Sequence, residues 1–101
     1  MKNKETVNLV KQISAVMDLG VVDYVTNGDV INLRDRDEST VATIKTSPDK
    51  TSVVNMVTSR VVSSDVGTTP REITTIVEVM LTIEKIEQPD ETESASNLKP
   101  Y

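Results

Sequence analysis

Three acidic side chains in the segment RDRDES, residues 34–39, are the residues of this chain best suited to chemistry. Asp35, Asp37 and Glu38 could supply the oxygen ligands that a hard cation such as Ca²⁺ binds. The segment lacks the glycine and the distal glutamate of a twelve-residue calcium loop. The pattern therefore favours a solvated connection, and no metal site is predicted.

The usual catalytic side chains are missing from the sequence. It contains neither His nor Cys, so it has no imidazole base, no thiolate nucleophile and no zinc–sulfur site. With only three Gly, it is expected to have no G-x-S-x-G motif, no S-x-x-K motif and no glycine loop that could cradle a phosphate. We therefore predict no catalytic residue, no cofactor and no small-molecule substrate.

The composition favours a small β-rich domain with few large aromatic side chains to fill its core. Among 101 residues there are 16 Val and 13 Thr but only 2 Tyr, with neither Phe nor Trp. The formal net charge of −5 argues against nucleic-acid binding, and no apolar run is long enough to span a membrane. We predict one domain over residues 1–87 and an acidic, mobile tail over 88–101. The expected location is the cytoplasm, or a virion if the origin is viral.

Residues 4–19 predict an amphipathic helix, because their apolar side chains recur at three- and four-residue spacing. Asn3 can cap the start of this helix, and Gly20 can take the left-handed conformation that ends it. The single apolar stripe is typical of a helix that lies on a sheet.

The segment 21–35 predicts a β-hairpin. Asn27-Gly28 stands between two apolar runs and favours a type I′ turn. A two-residue loop at these positions would pair Tyr24 with Ile31 and place both on one apolar face.

Further strands are predicted from the abundance of Val and Thr. They are expected at residues 40–46, 51–64 and 71–87. The last segment also fits a helical pattern in part. Nine of the fourteen residues from 73 to 86 are Val, Ile or Thr, and this composition favours the strand.

Together these elements predict an α+β fold. An N-terminal amphipathic helix packs on a mostly antiparallel sheet of about five strands, with a long C-terminal β-hairpin formed by 51–64 and 71–87. A fourteen-residue strand spans about 45 Å, whereas a domain of this size has a radius of gyration of about 13 Å. Such a ribbon would expose apolar residues unless another chain buries them.

We therefore predict a non-enzymatic assembly protein that acts through β-sheet-mediated oligomerisation, with itself or another protein as the partner. The expected interface residues are Val57, Val61, Ile76, Val77, Val79, Met80, Leu81 and Ile83. A small, acidic chain of this composition would suit a bacteriophage structural component, such as a head–tail or tail protein.

A second hypothesis is a small inhibitory or regulatory module whose acidic side chains bind a basic surface of a partner protein. Residues 34–39 and the tail would supply these charges. Added salt would weaken such binding sharply, whereas association through apolar strands would persist.

Overall fold

Five strands and two helices follow one another in the order α1–β1–β2–β3–β4–β5–α2. The computed structural model describes residues 3–87, and the predicted tail at 88–101 lies outside the described residues. The helices are α1 (Asn3–Met17) and α2 (Pro70–Glu87), and the strands are β1 (Asp23–Asn27), β2 (Val30–Arg34), β3 (Thr40–Thr46), β4 (Thr51–Asn55) and β5 (Arg60–Ser64). The predicted α+β class and N-terminal helix are confirmed, and the sheet is antiparallel with five strands, although the segment predicted at 71–87 is not among them and the one predicted at 51–64 forms two of them.

The sheet is a meander in which each strand pairs antiparallel with its neighbours in the chain, so β1 and β5 form its two edges. Helix α1 packs against β4 and β5, helix α2 packs against β2 and β3, and the two helices contact each other. The core lies between helices and sheet; its largest fully buried apolar side chains are Ile13, Ile31, Leu33, Ile44, Ile73 and Val77.

Helix α1 agrees with the prediction from its apolar stripe. Leu9, Ile13, Val16 and Met17 are buried in the core, which is the expected use of residues spaced three and four apart. Gly20 has a φ of +90°, the left-handed conformation that was expected to end the helix.

The predicted β1–β2 hairpin exists, but its predicted register is wrong. Tyr24 pairs with Leu33 and not with Ile31, because the two loop residues are Gly28 and Asp29. Only Gly28 of these two has a positive φ, +62°, the pattern of a type II′ turn and not of type I′. The shift is two residues, so the side chains predicted for the apolar face remain on it.

An ion pair favours the observed register. It places Asp23 directly opposite Arg34, and the guanidinium donates two hydrogen bonds of 2.9 Å to the two carboxylate oxygens. The predicted register would have placed Asp23 opposite Asn32. A cross-strand pair of opposite charges stabilises an antiparallel ladder.

The predicted strand at 51–64 is wrong as a single element, because the chain reverses inside it. Strands β4 and β5 are joined by a four-residue turn, 56–59. The side-chain Oδ1 of Asn55 accepts the N–H groups of Val57 and Thr58 at 2.9 and 3.0 Å, and Ser59 has a φ of +64°. An asparagine side chain that bonds its own turn can replace the usual glycine signal.

The predicted strand at 71–87, and with it the long C-terminal β-hairpin, is also wrong, because these residues form helix α2. Val77 and Val79 would share one face of a strand, yet Val77 is 0% exposed and Val79 is 52% exposed. Ile73 and Val77 are both fully buried at the four-residue spacing of a helix face. Burial against the sheet therefore outweighs the β propensity of the segment.

A capping box begins helix α2. The Thr69 hydroxyl accepts the N–H of Glu72 at 3.1 Å, and the Glu72 carboxylate accepts the N–H of Thr69 at 2.8 Å. Pro70 occupies the first helical position, where its missing N–H has no consequence. Further along, the hydroxyls of Thr75 and Thr82 each donate to the carbonyl four residues earlier, at 2.8 Å, which satisfies these side chains inside the helix.

Candidate interaction surface

The eight residues predicted for an interface fall into three groups in the structure. Val77 belongs to the core, so its assignment to an interface is wrong. Ile76, Met80 and Leu81 are partly buried and pack against the core. The remaining four are exposed: Val57 by 65%, Val61 by 61%, Val79 by 52% and Ile83 by 46%. These four lie in two places, the β4–β5 hairpin and the outer side of α2.

The β4–β5 hairpin carries the most exposed large apolar side chains of the described residues. Val57 and Met56 lie in its turn and Val61 in β5. The three hydrogen bonds to Asn55, including the 2.7 Å bond from the N–H of Ser59 to the Asn55 carbonyl, hold the turn in one conformation. The apolar side chains are therefore displayed on a fixed turn and not on a loose loop.

The outer face of the sheet, opposite the helices, is a mixed surface of short side chains. One row of it crosses all five strands in register and consists of Val25, Asn32, Thr43, Val54 and Val61. All five are half-buried or exposed. The Thr43 hydroxyl donates to the Asn32 side-chain oxygen at 2.9 Å, so the centre of the row is polar and its two ends, at β1 and β5, are apolar.

The Asp23–Arg34 ion pair sets the electrostatics at the β1 edge. The hydrogen bond from the Arg34 guanidinium lowers the pKa of the Asp23 carboxyl below its ordinary value, with a smaller Coulombic contribution from the same group. Because the folded-state pKa is lower than the unfolded one, the pair stabilises the fold at pH values above the ordinary pKa. That contribution is lost as the pH falls through the lowered folded value.

We expect the variant Asp23→Asn to be less stable than the wild type at neutral pH, with a difference that shrinks as the pH falls below about 4. Urea denaturation at several pH values from neutral to strongly acidic would measure it. Asp37→Asn, in the exposed β2–β3 connection, is the control, because it removes one carboxylate and leaves the Asp23–Arg34 pair intact. A constant gap between Asp23→Asn and wild type across the range would contradict the expectation.

An open pocket of about 420 Å³ lies where α2 begins, lined by Asp29, Thr46, Ser47, Pro48, Gly67, Thr68, Thr69, Pro70 and Glu72. Next to it, the fully buried Thr51 hydroxyl donates to the Val66 carbonyl at 2.7 Å and lies 2.7 Å from the Thr68 hydroxyl. Within residues 4–84, no buried side-chain nitrogen or oxygen lacks a hydrogen-bond partner. The hydrogen bonds of Thr51 therefore anchor the β5–α2 connection to β4.

We expect Thr51→Val to cost about 1–3 kcal/mol of unfolding free energy, because it removes the hydrogen bond that the buried Thr51 donates to the Val66 carbonyl. The substitution preserves the size of the side chain, so packing changes little. Denaturant unfolding would measure the effect. Thr40→Val, at the exposed start of β3, is the control and should stay within about 0.5 kcal/mol of wild type. Equal effects of the two substitutions would contradict this assignment.

The sequence-based prediction that no S-x-x-K motif is present is wrong. Ser47 and Lys50 have the S-x-x-K spacing of serine acyltransferases, as do Ser96 and Lys99, which lie outside the described residues. In the structure the Ser47 hydroxyl accepts the N–H of Lys50 at 3.1 Å and lies 2.7 Å from the Lys50 carbonyl. Its hydrogen bonds therefore close the β3–β4 turn, whereas a nucleophile needs its oxygen free and next to a base.

The acidic segment 34–39 is a connection between β2 and β3. The Asp35 side chain accepts the N–H groups of Asp37 and Ser39 at 2.9 and 3.0 Å, so it stabilises the turn. Among the described residues no group of three or more His, Cys, Asp or Glu is arranged to hold a metal ion. Nor does any helix in that part of the chain have the length and apolar character needed to cross a membrane.

Comparison with protein-family models, with curated proteins and with solved structures found no match to this chain.

Proposed function

We propose that this chain is a non-enzymatic interaction protein that assembles through its β4–β5 hairpin and the free edge of β5. One observation carries the proposal. No strand among residues 3–87 pairs with the outer edge of β5, the last strand of the sheet, and the most exposed large apolar side chains of the described residues, Val57 and Val61, lie on its hairpin. A strand edge beside apolar anchors is the surface that β-strand addition uses.

The lack of protection along β5 supports this proposal. Natural edge strands are commonly blocked by Lys, by Pro or by a bulge. Strand β5, residues 60–64, contains neither Lys nor Pro, and its pairing with β4 runs without a register shift.

The other exposed apolar pair is less suited to assembly. Val79 and Ile83 lie four residues apart on the outer side of α2, where all backbone groups of the helix interior are already bonded. Isolated apolar side chains on a helix surface are common in soluble proteins. The hairpin combines apolar side chains with unpaired backbone groups, and α2 does not.

The alternative of an acidic inhibitory module receives less support. The carboxylate of Asp35 is bonded within its turn and that of Asp23 is paired with Arg34. Arg36 lies between Asp35 and Asp37 and offsets the local negative charge. The segment is thus a weak source of attraction for a basic partner.

Light scattering at micromolar concentration tests the proposal. The wild type should give a mass above the 11.1 kDa of one chain, and high salt should not dissociate it. The double variant Val57→Lys/Val61→Lys should give a single-chain mass. The matched double variant Val79→Lys/Ile83→Lys should keep the wild-type mass. A wild type that stays monomeric at every concentration would overturn the proposal, and dissociation by salt would favour the acidic alternative.

A further inference from the structure

We infer that the partner of β5 is the β5 strand of a second copy, paired antiparallel about a two-fold axis at Val62. The inference rests on the function proposed above and specifies its partner and register. It follows from which backbone groups of β5 point outwards, and from where the charges of the strand lie.

The pairing of β4 fixes the direction of the backbone groups. Met56, which follows β4, donates its N–H to the Val41 carbonyl of the neighbouring strand at 2.9 Å. Along an antiparallel strand, successive residues direct their N–H and C=O groups to opposite sides. Val54 therefore also bonds towards β3, whereas Val53 and Asn55 bond towards β5.

The same alternation then assigns the groups of β5. Val62 pairs with Val53 and Arg60 pairs with Asn55, so the backbone groups of Val62 and Arg60 point towards β4. Those of Val61 and Ser63 point towards the free edge. Two residues of this short strand thus offer two N–H and two C=O groups to an incoming strand.

A two-fold axis at Val62 pairs these groups with one another. It places Val61 opposite the partner's Ser63 and Ser63 opposite the partner's Val61, as hydrogen-bonded pairs that contribute four bonds. Val62 then faces the partner's Val62 in the close, non-hydrogen-bonded type of pair, with the two Cα atoms about 4.5 Å apart. The strand is therefore complementary to itself in this register.

The charges agree with an antiparallel arrangement. Arg60 begins β5, and Asp65 directly follows its last residue. Both side chains are exposed, and neither forms an ion pair with any residue between 4 and 84. The two-fold axis places Arg60 opposite the partner's Ser64, one position in sequence from the partner's Asp65, and repeats this arrangement symmetrically, so each end of the paired strands carries charges of both signs. A parallel pairing would place Arg60 beside the partner's Arg60.

The association closes at two copies. Each chain has one β5, and an isologous contact uses both of them. The product is a continuous ten-stranded sheet with the helices of both copies on the same face, because the two-fold axis at Val62 runs perpendicular to the sheet. An interface of two short strands is small, so we expect a weak dimer whose population depends on concentration.

Cysteine trapping tests the register, since the chain contains no Cys of its own. Under mild oxidation, the full-length Val62→Cys variant should form a covalent dimer about tenfold or more faster than Ser64→Cys. Ser64 lies opposite the partner's Arg60 and not opposite itself, so Ser64→Cys is the matched control. Mixing Ser64→Cys with Arg60→Cys should restore rapid cross-linking.

An edge-blocking variant supplies a second, independent test. Ser63→Pro removes an N–H that points to the free edge and leaves the β4–β5 ladder intact. In sedimentation velocity across a concentration series it should remain monomeric, with the circular dichroism of the wild type. A Ser63→Pro variant that still dimerises would overturn the inference.

The outcomes separate this inference from the function on which it rests. If the wild type associates through the hairpin but Val62→Cys links no faster than Ser64→Cys, the two-fold register is wrong and the assembly function stands. If the wild type is monomeric at all concentrations, both are wrong.

Discussion

Val77→Asp is expected to lower the free energy of unfolding by about 4 kcal/mol or more, which is a large part of the stability of a domain of this size. Val77 is 0% exposed on the inner side of α2 and belongs to the same buried cluster as Ile73. An aspartate at this position would place an unpaired carboxylate in apolar surroundings. Urea denaturation followed by far-UV circular dichroism measures the loss.

Val79→Asp is the matched control, two residues further along the same helix. Its side chain is half-exposed, so the new carboxylate stays in water and the change should be within about 0.5 kcal/mol. On a strand, the two valines would share one face and their substitutions would have similar effects. Similar effects would therefore contradict helix α2 itself.

Gly67→Ala is expected to cost about 3 kcal/mol, because the backbone of the β5–α2 connection passes too close to the β3–β4 turn for any side chain. A Cβ at Gly67 would overlap the carbonyl of Pro48. The overlapping atoms belong to the backbone of Pro48 and Asp49, which cannot turn aside as a flexible side chain could. The N–H of Thr68 also donates to the Ser47 carbonyl at 3.0 Å, so neither segment can move away freely. Thermal or urea unfolding measures the loss.

Gly28→Ala separates this overlap from backbone strain. Gly28 has a φ of +62° but open space around it, so alanine there should cost only the strain of a left-handed residue, about 1–2 kcal/mol. If Gly67→Ala proved no more costly than Gly28→Ala, the close approach of the two segments would not be the constraint inferred here.

Periodicity predicted the N-terminal part of the fold well and failed for α2. The stripe of α1 and the limits of β3 follow directly from the sequence. For the C-terminal segment, the β propensity of Val, Ile and Thr outweighed a local signal that was present in the sequence. Thr69-Pro70-Arg71-Glu72 is a capping box with proline at the first helical position, and it marks a helix start more specifically than composition marks a strand.

The register of the β1–β2 hairpin and the position of the β4–β5 turn could not be predicted from the turn residues alone. Asn27-Gly28 and Gly28-Asp29 are both acceptable two-residue turns. The choice between them is favoured by a contact eleven residues apart in sequence, between Asp23 and Arg34. In the β4–β5 turn, apolar Met56 and Val57 concealed the reversal, and only the side chain of Asn55 provided a local signal.

The candidate surface was predicted only in part. Val57 and Val61 were expected at an interface because they were assigned to a long ribbon, and they lie instead on a short hairpin at the sheet edge. Their exposure depends on the position of β5 at the end of the meander, a property of strand order that composition does not specify. Val77 was predicted at an interface because it was assigned to a strand. On a helix, buried residues recur every three or four positions and not every second one.

Helix α2 follows the whole sheet in sequence, and this order affects how the chain folds during synthesis. Ile31, Leu33 and Ile44 lie on the sheet side of the core, but Ile73 and Val77, which pack with them, leave the ribosome after all five strands. A growing chain can form its local hairpins early, yet it carries uncovered apolar side chains until α2 emerges. On stalled ribosomes, resistance to protease should therefore appear only once the nascent chain extends past α2.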